Sequence, residues 1–210
     1  MKRLLFVSLL AALVLTFGGT SPMTVPSIAA QGNGATQEFT QAYTTPDGFL
    51  LGSVVPGSEA TLTRSRTGLT TNVHTTVDMA GVYSVWWVLF NHPGSCMTYL
   101  CTFDEPDLVV NATGHIVPNV GNASFSARLT PGGPYSGEIL FEGPEPTLTN
   151  PDGALIVLVI RYHGPAIPGM IPQQFSYFLG GCPDDGPPCQ DKQLVVFRGD
   201  ECTGACAIPF

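Results

Sequence analysis

Positive charge is what this chain has least of. Its lysines are Lys2 and Lys192, and Lys+Arg total 8 against 16 Asp+Glu, a net charge of −8 at pH 7. A surface of that sign repels phosphate backbones and anionic headgroups, which argues against nucleic acid and membrane surfaces as partners. Long apolar runs are missing as well: the one at residues 4–17 falls short of the ~20 residues a helix needs to cross a bilayer. There is no Gly-x-Ser-x-Gly elbow, no His-Glu-x-x-His, no phosphate-binding loop and no dinucleotide fingerprint, so no catalytic motif is found. Cys-x-x-Cys spacing and a histidine pair close to cysteine are both lacking, which argues against zinc held on cysteine. No stretch carries a convincing amphipathic helical period. Gly 24 and Pro 19 instead point to many turns.

What is present begins with Met1-Lys2-Arg3, the apolar run, and small residues up to Ser27-Ile28-Ala29-Ala30. That order predicts a secretory signal peptide over residues 1–30, cut at or before Ala30. The expectation is a secreted or extracytoplasmic protein with no membrane span after cleavage. Removing the signal takes Lys2 and Arg3 and leaves six basic residues against 16 acidic ones, a net of −10. Residues 31–37 then read as a flexible linker and residues 38–210 as a single β domain. The six cysteines form three close pairs, an even set that reads as disulfides in an exported chain. Local bridges Cys96–Cys101, Cys182–Cys189 and Cys202–Cys206 are the simplest of 15 pairings, though the last four could cross, Cys182 to Cys202 for example.

The most informative stretch is residues 82–90, VYSVWWVLF, uncharged and apolar on both alternating faces, with Ser84 its one small polar interruption. Such a run fits a central strand covered above and below. Residues 154–162, ALIVLVIRY, repeat the pattern. Residues 59–65 and 69–77 alternate around Arg66-Thr67-Gly68 and predict a hairpin with one wet side. Residues 107–117 and 123–129 predict a second hairpin around Pro118-Asn119-Val120-Gly121-Asn122, and residues 138–141 a short edge strand. Residues 173–179 and 193–198 read as closing strands, and Thr45-Pro46-Asp47-Gly48 as a turn. About seven to nine strands with disulfide-stapled loops predict an all-β, antiparallel sandwich or closed barrel, Ig-like.

Four histidines are the main candidates for chemistry. His74 and His115 lie inside predicted strands, while His92 and His163 follow the two apolar ones. Convergence of His74, His115 and His163 would make a copper or zinc site, since imidazole suits both ions. No other cofactor is expected. Acidic loops around Asp104, Glu105 and Asp107, and around Asp184, Asp185 and Asp191, offer oxygens for calcium but lack EF-hand spacing. Asn111-Ala112-Thr113 and Asn122-Ala123-Ser124 match glycosylation acceptors by chance composition.

Two resemblances rest on particular residues. A strand like Asn72-Val73-His74-Thr75-Thr76, then YSVWWVLF, Gly114-His115-Ile116-Val117 and His163-Gly164-Pro165-Ala166-Ile167-Pro168-Gly169 resemble a group of uncharacterised exported bacterial β-sandwich proteins. Residues 162–166 are similar to the His-x-His-Gly-Pro-Ala segment of CHRD domains, with Arg161 where its first histidine would stand. These readings lead to an extracytoplasmic protein that binds an extracellular partner or ligand or has a structural role. The alternatives are a histidine-dependent metal-binding protein and a small barrel holding an apolar ligand between Trp86 and Trp87.

Overall fold

The computed structural model describes residues 28–29, 35–46, 51–96, 101, 106–183 and 188–202. Two antiparallel sheets pack face to face. The first holds β1 (Ile28–Ala29), β2 (Thr36–Thr40), β4 (Glu59–Ser65), β5 (Gly68–Val77) and β8 (Gly121–Leu129), in that order across the sheet. The second runs β3 (Ala42–Thr44), β11 (Gln190–Phe197), β10 (Leu155–Tyr162), β6 (Gly81–Phe90), β7 (Leu108–Val117) and β9 (Ile139–Glu142). No pairing among the described residues joins the two sheets, so the architecture is a sandwich and not the alternative closed barrel. Only Gln41 separates β2 from β3, and there the chain passes from one sheet to the other. β2 starts at Thr36, inside the segment expected to be a flexible linker.

β6 is the central strand its sequence predicts. It pairs with β10 from Leu155↔Phe90 to Tyr162↔Tyr83 and with β7 on its other edge. Tyr83, Val85, Trp87 and Leu89 face the first sheet, packing in one core with Leu62, Leu69, Val73 and Phe125. Trp86, Val88 and Phe90 face outward with Val157, Val159, Leu194 and Val196. Among the described residues no third sheet covers that outer layer. Irregular chain does so, through Leu51, Cys96, Cys101, Phe178 and Cys202.

The expected hairpin between residues 107–117 and 123–129 is corrected: β7 pairs with β6 and β9 in the second sheet, whereas β8 pairs with β5 in the first. Burial explains the separation. Strands with one wet face, β4, β5 and β8, assemble where one sheet face meets solvent; β6, β10 and the Leu108–Val110 part of β7 are buried on both faces. The first hairpin, β4 to β5, forms as expected. Residues 173–179 are not a strand: α1 (Ile171–Ser176) forms there, with backbone bonds from Gln174 to Met170 and from Tyr177 to Gln173. Pro172 in its first turn has a preset φ and no N–H to leave unpaired, which favours the helix.

Bridges Cys96–Cys101 and Cys182–Cys189 are formed, with Cα separations of 5.1 and 6.0 Å, which excludes the crossed Cys182–Cys202 pairing. The signal-peptide assignment over residues 1–30, except Ile28 and Ala29 of β1, lies outside the described residues, as do the turn residues Asp47 and Gly48, Asp104, Glu105, Asp184, Asp185 and the partner role of Cys206.

Buried polar side chains tie the irregular segments down. Asn91 is fully buried; its Nδ2 donates to the carbonyls of Glu145 and Thr147, and its Oδ1 accepts from Thr149 and Asn150 N–H. Arg64, 1% exposed, pairs with Glu38 and donates from Nη1 to the carbonyls of Pro151 and Ala154 at 2.8 and 2.9 Å. This one guanidinium links the first sheet to the loop that feeds β10. Arg64→Met strands a largely desolvated carboxylate and is expected to cost about 3–5 kcal/mol in urea unfolding. Adding Glu38→Leu removes that carboxylate and recovers part of the loss, because the two loop carbonyls stay unpaired.

Candidate functional site

Past Tyr162 the chain leaves β10 and folds over the outer face of the second sheet, returning to it at Gln190 in β11. This strap contains His163, α1, Phe178, Gly180 and the Cys182–Cys189 bridge. It sits close because Gly114 on β7 has no side chain: a Cβ there would overlap Phe175 of α1. Gln174, fully buried, donates from Nε2 to the carbonyls of Pro165 (3.0 Å) and His163 (3.3 Å) and accepts from Ile167 N–H (2.9 Å). Arg161 is 1% exposed, with its guanidinium carbon 3.6 Å from the centre of the Phe178 ring. Its Nε donates to the Phe178 carbonyl at 2.9 Å and its Nη1 to Asp191 Oδ1 at 2.7 Å. Phe178 in turn stands edge-on to Trp86, ring centroids 5.4 Å apart.

Beneath the strap lies a determined chain of hydrogen bonds. Trp86 Nε1–H donates to Ser84 Oγ at 2.8 Å, and Ser84 Oγ is 2.7 Å from His163 Nε2. His163 Nδ1 is 3.0 Å from the Gly180 carbonyl. A carbonyl only accepts, so the imidazole proton is assigned to Nδ1 and Nε2 accepts from the Ser84 hydroxyl. Burial pushes the His163 pKa down to about 4, the Arg161 guanidinium adds to that, and the bond to Gly180 works against it. The ring is therefore neutral at ordinary pH. Ser84 and His163 stand at nucleophile–base distance, but at 0% and 1% exposure they offer a substrate no approach.

The strap's open side is different in character. An apolar groove of about 510 Å³ runs between β9 and the strap, walled by Leu140, Met170, Tyr177, Phe178 and Leu179, with Glu138 and Gln173 as its polar groups. A smaller polar recess of about 330 Å³, lined by Ser136, Pro172 and Ser176, shares Glu138, Gln173 and Tyr177. Glu138 Oε2 accepts from the Phe178 N–H at 2.7 Å, which sets the distance between the two walls.

The three histidines whose convergence would make a metal site do not come together. His74 is exposed on the outer face of the first sheet, 2.9 Å from Ser124 Oγ. His115 is exposed on β7, with its ring edge-on to Phe125 at 6.2 Å. His163 is buried beyond the second sheet, so the sandwich core separates it from His74. Alternate-position spacing on strands says which face a residue takes, not which sheet. His92 lies between Glu145 and Glu201, 3.6 Å from each carboxylate. The remaining acidic candidates have structural partners: Asp107 accepts from Asn91 N–H and Asp191 from Arg161. Asn111, one glycosylation match, is buried and donates to the Phe175 carbonyl.

Sequence reasoning gave no functional role to Ser84, Gly114, Arg161 or Gln174. For two of them a signal existed: a lone hydroxyl and a lone guanidinium inside otherwise apolar strands each need a buried partner. No family model, curated protein or solved structure matches the chain.

The His163 pKa has a stability consequence. The unfolded imidazole takes a proton near pH 6.5 and the folded one only near 4, so stability falls as pH drops through that window. Wild type is expected to lose roughly 3 kcal/mol more than His163→Gln between pH 7 and pH 4, measured as the difference in urea unfolding free energy.

Proposed function

We propose that the chain is an extracytoplasmic binding module whose recognition surface is the groove between β9 and the strap, and that it takes an extended peptide segment carrying apolar and basic side chains. One observation carries the reading: β9 is an edge strand with all four residues exposed, beside an apolar groove. Ile139, Leu140 and Phe141 on β9 and Met170, Tyr177 and Leu179 on the strap are each at least 40% exposed. An edge strand offers unpaired backbone groups to an added strand, and a flanking groove selects its alternate side chains. The groove volume is within the range typical of ligand sites. Charge supplies the second half of the specificity. Glu138 lines the groove and Glu142 lies on β9, no Lys or Arg is among the described lining residues, and the chain as a whole is acidic.

Extracytoplasmic placement is supported by the basic start and apolar run of residues 1–30, and by two disulfides. Among the described residues no helix is long and apolar enough to cross a membrane. The alternative of a barrel cavity between Trp86 and Trp87 has no support, because the fold is an open sandwich and both rings are buried in its layers.

A nine-residue peptide alternating leucine and arginine is expected to bind in a calorimetric titration, more weakly as salt rises, while its leucine–glutamate counterpart does not. Leu140→Glu in the groove should weaken binding by about tenfold or more, equivalent to about 1.4 kcal/mol. Val120→Glu, an exposed apolar residue away from β9, should leave it unchanged. Equal binding of the two peptides, or indifference to Leu140→Glu, overturns the reading. So does a dimer in sedimentation that Leu140→Glu dissolves, since the groove would then hold a second copy.

A further inference from the structure

We propose that reduction of the Cys182–Cys189 bridge exposes a metal site in which the two thiolates and His163 Nδ1 hold one zinc ion. In the oxidised protein these three ligand atoms already lie within 4.8 Å of one another, the only such group among the described residues. Cys189 Sγ is 3.5 Å from His163 Nδ1. A tetrahedral zinc with bonds of about 2.3 Å to sulfur and 2.0–2.1 Å to nitrogen places those two ligand atoms roughly 3.5 Å apart. That edge of the coordination shell is therefore already in place, and opening the bridge lets the second sulfur complete the face.

The surroundings suit this ion. Cys189 and His163 are each 1% exposed, and a divalent ion with two thiolates is neutral overall, so burying it avoids the cost of an uncompensated charge. Arg161, whose positive charge bears on His163, disfavours any complex with a net positive charge. Metal on Nδ1 moves the ring proton to Nε2, where Ser84 Oγ stands 2.7 Å away to accept it and fix the ring orientation. The Gly180 carbonyl, 3.0 Å from Nδ1, loses its donor and becomes available as a fourth ligand, with water the other choice.

The chemistry balances with an external reductant. A trialkylphosphine attacks one sulfur of the bridge, the S–S bond breaks, and water hydrolyses the adduct, leaving two thiols and the phosphine oxide. Zinc binding then replaces the two thiol protons, which pass to solvent. The metal closes the same loop as the cystine did, so the strap keeps a cross-link in either state.

The test uses full-length protein with the phosphine present or absent and cobalt(II) as the spectroscopic stand-in for zinc. Reduced protein is expected to take up one equivalent with sulfur-to-metal charge-transfer absorption and tetrahedral d–d bands, displaced by zinc; oxidised protein takes up none at this site. Cys182→Ser/Cys189→Ser should abolish these bands, and His163→Gln should weaken binding by about tenfold or more and shift the d–d bands. Cys96→Ser/Cys101→Ser should leave them unchanged. A variant-free measurement runs alongside: in reduced wild type, zinc should protect Cys182 and Cys189, mapped by mass, from alkylation and raise the melting midpoint. Absence of cobalt uptake on reduction, bands that survive Cys182→Ser/Cys189→Ser, or zinc that leaves both thiols open to alkylation each overturns the proposal. None of these outcomes bears on peptide binding in the groove.

Discussion

The structure depends on one constraint: the second sheet is apolar on both faces and, among the described residues, has only one partner sheet. Trp87 and its neighbours are covered by the first sheet, but Trp86, Val88, Phe90 and the outward residues of β10 and β11 face away from it. In α/β proteins helices cover such a face. Here irregular chain does it, at the price of bringing loop backbone into a buried layer, where each N–H and C=O needs a partner. The buried polar side chains answer that need. Asn91, Gln174 and Arg161 each reach loop backbone groups that no strand supplies with a bond. The Cys96–Cys101 cystine belongs to the same cover, and Cys182–Cys189 cross-links the strap.

The distribution of charge follows from the same arrangement. The basic residues are few, and two of the five arginines beyond residue 30 are drawn inside, Arg64 beside Glu38 and Arg161 beside Asp191. Much of the remaining acidic charge is left at the surface, including Glu142 on the exposed edge strand. Beneath the strap, the tightly bonded neutral imidazole keeps the covered layer free of an unpaired charge. The strap thus has two sides with different properties: an inner side with its polar atoms bonded in fixed roles, and an outer side that leaves apolar surface open beside a sheet edge. Both the groove and the contact between the Cys182–Cys189 cystine and His163 come from laying a loop, not a strand, over Trp86.

Most strands were legible because side-chain alternation is a local property with a period of two. The first hairpin, the doubly apolar central strand and the bridge Cys96–Cys101 could be read from neighbours in the chain, whereas Cys182–Cys189 needed the structure to choose it over a crossed pairing. The partition of β7 and β8 was within reach too: Ser124, Ser126 and Arg128 mark a strand with a wet face, unlike Leu108-Val109-Val110. Residues 173–179 misled because Gln, Phe, Tyr and Leu alternate over a span too short to distinguish a strand from one and a half helical turns, and Pro172 decided it.

By itself the sequence determined what burial and local geometry control: an acidic all-β chain, most of its strands, which faces are apolar, and the local bridge Cys96–Cys101. Tertiary structure alone decided the order of strands across each sheet, that His74, His115 and His163 stand apart, and that Ser84, His163 and Cys189 meet although they are far apart in the chain. The physical reason is that strand alternation assigns each side chain a face but carries no information on the partner across the layer. That partner is set by how two sheets and a strap jointly exclude water.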